Sequence, residues 1–153
     1  MRNIIMADWK SELGNIISSK ARASRAQQEN EIFEDFLDEV AIPALKTIAD
    51  ELNANHGREA LVRRAPASAT INVRHEDNDE ITFQVMKHFV QSGILPRAEV
   101  RLSRGQKMIK YAGMFKDDPQ NYPVSKITQD DVITSFLKYY RLTMDKNLRS
   151  SGD

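Results

Sequence analysis

The stretch ATINVRHEDNDEITFQV, residues 69–85, alternates apolar and polar side chains on both sides of an acidic, turn-forming centre. Alternation with a period of two is typical of a strand that buries one face, because successive side chains point to opposite sides. The segment therefore predicts two antiparallel strands joined by a turn. The apolar side chains that would share the buried face are Ile71, Val73, Ile81, Phe83 and Val85.

The length of the turn decides which residues pair across this hairpin. A three-residue loop, 77–79, places Val73 opposite Phe83 and Ile71 opposite Val85, so that both apolar sets stay on one face. A two-residue loop would turn one strand over and expose its apolar side chains. We therefore predict the three-residue loop.

A second hairpin is predicted from RAEVRLSRGQKMIKY, residues 97–111. Its turn would be Gly105-Gln106, with glycine first, as a type II′ turn requires. This register sets Leu102 against Ile109, and it brings Arg101 and Lys110 together on the opposite, polar face. A shorter strand is expected around residues 60–64, and it would end near Pro66.

Helical patterns flank the predicted sheet. Apolar residues recur at helical spacing from Phe33 to Leu52, with a kink or short break expected at Pro43 and a stop at Gly57. A second helix is predicted to begin with Thr128 as its N-cap and to bury one apolar face. The members of that face are Ile133, Phe136, Leu137, Tyr140 and Met144.

The N-terminal segment has a different pattern. Residues 20–31, KARASRAQQENE, favour helix strongly, but their only apolar side chains are alanines. A helix without an apolar stripe has little to pack on in its own domain, so we predict an arm, residues 1–28, that projects from it. The alternative is a partly disordered N-terminus. The arm would dock on a second copy or on another protein through Trp9, Leu13, Ile16 and Ile17.

These patterns together predict an α+β fold. It consists of a kinked N-terminal helix or helix pair, an antiparallel sheet of four to five strands, and a C-terminal helix packed on one sheet face. After the arm, residues 29–146 would form a single domain and residues 147–153 a flexible tail.

Composition limits the chemistry. The chain has 153 residues, a formal net charge of zero and no cysteine, which excludes disulfides, thiol catalysis and cysteine-based metal sites. No apolar run approaches the roughly 20 residues of a membrane span, and the apolar run at the start is too short for the apolar region of a signal peptide, so we expect a cytoplasmic protein. No pattern for a catalytic residue, a metal site or a cofactor site is present, and none is predicted.

Charge is distributed unevenly along the chain. Residues 1–57 have six basic and ten acidic residues, whereas residues 58–115 have ten basic and six acidic residues. The basic middle suggests an anion-binding surface on the polar sheet face. Phe83 and Tyr111 would lie on the opposite, dry face, which makes base stacking with single-stranded nucleic acid less favourable. The candidate anion-binding residues are Arg74, Arg101, Arg104, Lys107 and Lys110.

Three functions follow, in order of preference. The first is a non-catalytic protein-interaction module that forms a homodimer through its N-terminal helix. The second is anion or nucleic-acid binding on the basic polar face of the sheet. The third is a small-ligand binder or enzyme with a pocket between the sheet and the C-terminal helix.

Overall fold

Helices and strands occupy separate blocks of the chain. The computed structural model describes the backbone of residues 2–90, 93–116 and 122–152, and the side chains within 8–90, 93–116 and 122–144. The elements, in chain order, are helix α1 (Arg2–Phe36), a π-helical turn (Leu37–Ala41), helix α2 (Ile42–Asn55), strands β1 (Glu59–Ala65), β2 (Ser68–His75), β3 (Asn78–Val90), β4 (Gly93–Arg104) and β5 (Lys107–Met114), a 3-10 turn (Val124–Lys126) and helix α3 (Gln129–Gly152).

The five strands form an antiparallel meander in the order β1-β2-β3-β4-β5. Helices α2 and α3 pack side by side on one face of this sheet, which we call the inner face. The core lies between the two layers, with Phe83 of β3 and Phe136 of α3 at its centre, their ring centroids 5.7 Å apart. The predicted α+β architecture is confirmed. The opposite face of the sheet, called the outer face, is covered by no helix among the described residues.

The β4–β5 hairpin has the predicted register. Arg104 pairs with Lys107 across a turn at Gly105-Gln106, and Arg101 pairs with Lys110. Gly105 has a φ of 67°, a left-handed conformation that glycine adopts without steric cost.

The β2–β3 turn differs from its prediction. His75 pairs with Asn78, so the turn consists of two residues, Glu76 and Asp77, and the predicted loop 77–79 is wrong. Both turn residues have positive φ, 52° and 67°, as a type I′ turn requires.

A β-bulge keeps the apolar sets of this hairpin on one face in spite of the short turn. Val73 pairs with Ile81, whereas Arg74 pairs with Asp79, so Glu80 has no partner on β2. The extra residue shifts the register by one and cancels the inversion that a two-residue turn would otherwise cause. Ile71 consequently lies opposite Phe83 rather than Val85.

The interruption near Pro43 is a π-helical turn, not a chain break. Proline has no backbone N–H, so it cannot donate to the carbonyl of Glu39 four residues earlier. The N–H of Ile42 donates instead to the carbonyl of Leu37, five residues back, and helix α2 then continues with Pro43 in its first turn. The helix ends near His56, before Gly57 at φ 66°, as predicted.

Helix α3 begins at the predicted cap. The Thr128 hydroxyl accepts a hydrogen bond from the Asp131 N–H at 3.2 Å, and the Thr128 N–H donates to the Asp131 carboxylate at 2.9 Å. This reciprocal pair is a capping box that satisfies two backbone donors at the helix start. The helix is assigned through Gly152, and the side chains of the predicted tail, 147–153, lie outside the described residues.

The buried face of α3 is rotated from the predicted one. Phe136 is buried as expected, but Leu137 is 48% exposed, and Ile133, Tyr140 and Met144 are only partly buried. Helix α3 carries two adjacent apolar strips, and the sheet selects the one that contains the smaller Val132 and Thr143. The residues of the buried strip are Val132, Phe136, Tyr139 and Thr143.

Candidate functional site

Helix α1 joins the domain at one end and projects from it at the other. Every residue from 8 to 28 is exposed. Contacts with the domain begin at Glu29, whose carboxylate lies beside Gly93, and at Asn30, whose side-chain oxygen accepts a hydrogen bond from Lys87 Nζ at 2.7 Å. Phe33 is fully buried. We call residues 8–28 the arm.

The predicted docking residues lie together near the far end of the arm. Spacings of four, seven and eight residues place Leu13, Ile16 and Ile17 on the same side of the helix as Trp9. Their exposed fractions are 48% for Trp9, 48% for Leu13, 59% for Ile16 and 61% for Ile17. The single chain therefore leaves this apolar cluster open to solvent.

An apolar groove of about 530 Å³ lies between α2 and α3. Its α3 wall is the strip that the sequence predicted to be buried: Ile133, Leu137, Tyr140 and Met144. Its α2 wall includes Ile48 and Leu52, and Glu51 lies at its edge. This groove thus lies between the two helices, whereas the pocket predicted from the sequence lay between the sheet and the C-terminal helix. We call it the α2–α3 groove.

Two residues that line the groove, Arg58 and Tyr140, belong to a polar network centred on Glu80. The Glu80 carboxylate accepts hydrogen bonds from Arg58 Nε at 3.2 Å, from Arg58 Nη2 at 3.1 Å and from the Tyr140 hydroxyl at 2.7 Å. Burial of the Tyr140 hydroxyl, together with its hydrogen bond to an anion, raises its pKa to about 12. The same carboxylate raises the pKa of Arg58. The network joins the loop before β1 to β3 and α3, beside the groove.

Sequence reasoning missed this network because it depends on the β-bulge. Glu80 is the unpaired residue of the bulge, and a bulge redirects the side chain that it carries. In the predicted regular ladder the same residue belonged to a turn flank. The sequence indicates the bulge in only one way: a two-residue turn is compatible with the apolar alternation if one strand of the hairpin contains an additional, unpaired residue.

The outer face of the sheet contains an open, polar recess of about 670 Å³. Strand pairing places Thr82 of β3, Arg101 of β4 and Lys110 of β5 in one row across the sheet. Gln84 and Glu99 form the next row. These hydroxyl, amide and charged groups line a surface that suits a polar ligand or a charged partner.

The predicted anion-binding residues do not all share this face. Arg101 and Lys110 are exposed there, and neither forms an ion pair with another described residue. Arg74 pairs with Asp79 at 3.3 Å. Arg104 donates to the Tyr111 hydroxyl at 2.9 Å, and Tyr111 packs toward α3, so this arginine lies on the inner side. Strand alternation places Lys107, exposed at the hairpin turn, on that inner side too.

Within the described residues, no three histidine, aspartate or glutamate side chains come close enough together to bind a metal ion. No helix in the described part of the chain is long and apolar enough to cross a membrane. The candidate functional surfaces are the arm, the α2–α3 groove and the outer face.

The chain matches no protein-family model, no curated protein and no solved structure.

Proposed function

We propose that the protein is a non-catalytic interaction module that forms a homodimer through its N-terminal arm. The observation that carries this proposal is the apolar cluster of Trp9, Leu13, Ile16 and Ile17, each about half exposed or more on an arm whose residues 8–28 are all exposed in the single chain. Contiguous apolar surface of this kind is typical of protein interaction sites.

The arm also needs a partner for its own stability. Helices without tertiary contacts are marginal in water, because most helical stability in proteins comes from packing of an apolar face. Residues 18–28 contribute good helix formers but no large apolar side chain. The four cluster residues are therefore the part of the arm that packing can stabilise.

The size of the cluster predicts a modest affinity. Burying the exposed half of four large side chains contributes about 3–6 kcal/mol per arm, from about 1.5–3 kcal/mol for each fully buried side chain. Two arms together contribute about 6–12 kcal/mol, against an association cost of about 4–15 kcal/mol. Packing of one arm on the other alone is thus marginal, and we expect dimer formation to depend on protein concentration.

The test is the solution mass of arm variants by sedimentation velocity. The double variant Leu13→Asp/Ile16→Asp places two charges in the cluster and should be monomeric at concentrations where the wild type dimerises. Asn15→Asp/Ser18→Asp adds the same charge on the opposite side of the helix and should dimerise like the wild type. A chain that lacks residues 1–28 should fold and remain monomeric. A wild type that is monomeric at sub-millimolar concentration contradicts the proposal.

A second candidate function is anion binding on the outer face. Its specific support is the cross-strand pair Arg101 and Lys110, since like charges directly opposite destabilise a sheet unless a counter-charge is supplied. Arg101→Glu/Lys110→Glu should abolish low-salt binding of a fluorescent single-stranded oligonucleotide, whereas Lys46→Glu on α2 should retain it. Absence of wild-type binding at low salt rules this function out.

The cytoplasmic location stays a prediction.

A further inference from the structure

We propose that the α2–α3 groove of one copy receives the arm of a second copy, so that two chains exchange arms reciprocally. This inference rests on the proposed homodimer and names the surface that the arm contacts. Reciprocal exchange is a closed arrangement with twofold symmetry, which is the commonest form of protein dimer.

The two surfaces match in length and spacing. From Ile133 to Met144 the α3 wall extends about 16 Å, at about 1.5 Å per residue. The cluster from Trp9 to Ile17 extends about 12 Å by the same rise and therefore fits within the groove. Its anchors at i, i+4 and i+7 follow the spacing by which an amphipathic helix occupies a groove between two others.

The apolar character of both surfaces supports the same pairing. The wall residue Leu137 is 48% exposed in the single chain, as large a fraction as that of Trp9 or Leu13. If the arms packed only on each other, each groove would stay open to water. Exchange instead covers an arm and a groove in each copy, so it removes more apolar surface from water than packing of the two arms on each other alone.

Disulfide trapping tests the exchange directly, because the natural chain contains no cysteine. Ile16→Cys and Leu137→Cys are purified separately as full chains, mixed and oxidised, so any mixed disulfide is intermolecular. Two matched controls use exposed positions outside the proposed contact: Ser18→Cys on the far side of the arm, mixed with Leu137→Cys, and Leu61→Cys on the outer face, mixed with Ile16→Cys. Mixed disulfides require Cα atoms within about 7 Å.

The expected result is a mixed Ile16→Cys/Leu137→Cys product formed at least about tenfold faster than either control product, because a 1.4 kcal/mol preference is a tenfold ratio. Leu137→Lys should in addition weaken dimerisation by about tenfold or more. A dimer that forms only disulfides between two Ile16→Cys chains, or one that Leu137→Lys leaves unchanged, contradicts docking of the arm in the groove but does not contradict the homodimer. A monomeric mass without disulfides above the controls overturns both proposals.

Discussion

Replacement of Glu80 by glutamine should destabilise the domain more than any exposed glutamate replacement. Glu80 is the bulged residue of β3, and its side chain is only 13% exposed while that of Arg58 is 23% exposed. Glutamine keeps the shape but removes the charge, and its amide turns one donor toward the guanidinium. The result is a partly buried cation without its counter-charge.

The magnitude follows from burial. Removing one partner of a fully buried ion pair costs about 3–5 kcal/mol, because the remaining charge stays desolvated. Solvent reaches part of this pair, so we expect about 2–3 kcal/mol for Glu80→Gln. For a chain of this length that corresponds to a decrease of roughly 4–12 °C in the melting temperature. Tyr140→Phe removes one hydrogen bond and leaves the Arg58–Glu80 pair, so it should cost about 1 kcal/mol.

The assay is urea unfolding followed by far-ultraviolet circular dichroism at constant ionic strength. The only tryptophan is Trp9 in the arm, so its fluorescence does not report on the domain. Glu39→Gln, at an exposed position without a described hydrogen bond, is the matched control and should stay within about 0.5 kcal/mol of the wild type. A Glu80→Gln variant equally close to the wild type would refute the reasoning, because the pair would then behave as a solvated surface pair.

Three further predictions concern the same domain. Gly113→Ala should destabilise the domain by about 1–3 kcal/mol, because the new Cβ would lie 2.5 Å from the Tyr139 hydroxyl oxygen. Adding Tyr139→Phe to this variant should recover most of the loss in the free energy of unfolding, measured in urea. If the two substitutions have additive costs, the predicted contact is contradicted. Thr128→Ala should lower the free energy of unfolding by about 1 kcal/mol, because it removes the capping box of α3. Thr134→Ala, on the exposed side of the same helix, should leave it unchanged. Equal free energies of unfolding for the two variants would contradict the role of the cap. Burial raises the pKa of Tyr140 from 10 to about 12, so the contribution of this hydroxyl to stability is complete below pH 10 and is lost as the pH rises toward 12. Over this interval the free energy of unfolding should decrease more steeply for the wild type than for Tyr140→Phe. Parallel pH profiles for the two proteins would contradict the assignment.

Alternation of side chains was sufficient to predict the sheet. In the β4–β5 hairpin one glycine at the turn and two apolar pairs leave a single consistent register, and that register is observed. The β2–β3 hairpin shows the limit of the method. Seven residues, 74–80, separate Val73 from Ile81, and this odd number excludes only a regular two-residue turn. A three-residue loop and a two-residue turn with a bulge at Glu80 both keep the apolar side chains on one face. The bulged Glu80 contacts Arg58 and Tyr140, which are distant from it in sequence, and the local pattern contains no sign of these contacts.

The face of α3 was predicted less well for a related reason. Phe136 belongs to two overlapping apolar strips, one with Val132 and Tyr139 and the other with Ile133 and Tyr140. Periodicity alone favours whichever strip has the larger side chains. The sheet beneath instead selects the strip that fits, and Tyr139 packs there against Phe83 and Tyr111. The larger strip is left to line the α2–α3 groove, so a candidate surface arises where the sequence predicted core.

The part of the arm between its apolar cluster and the domain, residues 18–28, determines how the cluster is presented. Residues 18–28 are mostly alanine, serine, glutamine and basic residues, which favour helix while offering no large apolar surface. Because helix propagation from an existing end is much easier than nucleation, the buried anchor at Phe33 and Leu37 supports helix formation outward through this segment. The segment then acts as a semi-rigid spacer, at about 1.5 Å per residue, that sets both the distance and the rotation of the cluster relative to the domain. A flexible linker of equal length would present the same side chains in every orientation and would lose the geometric selectivity that the helix provides.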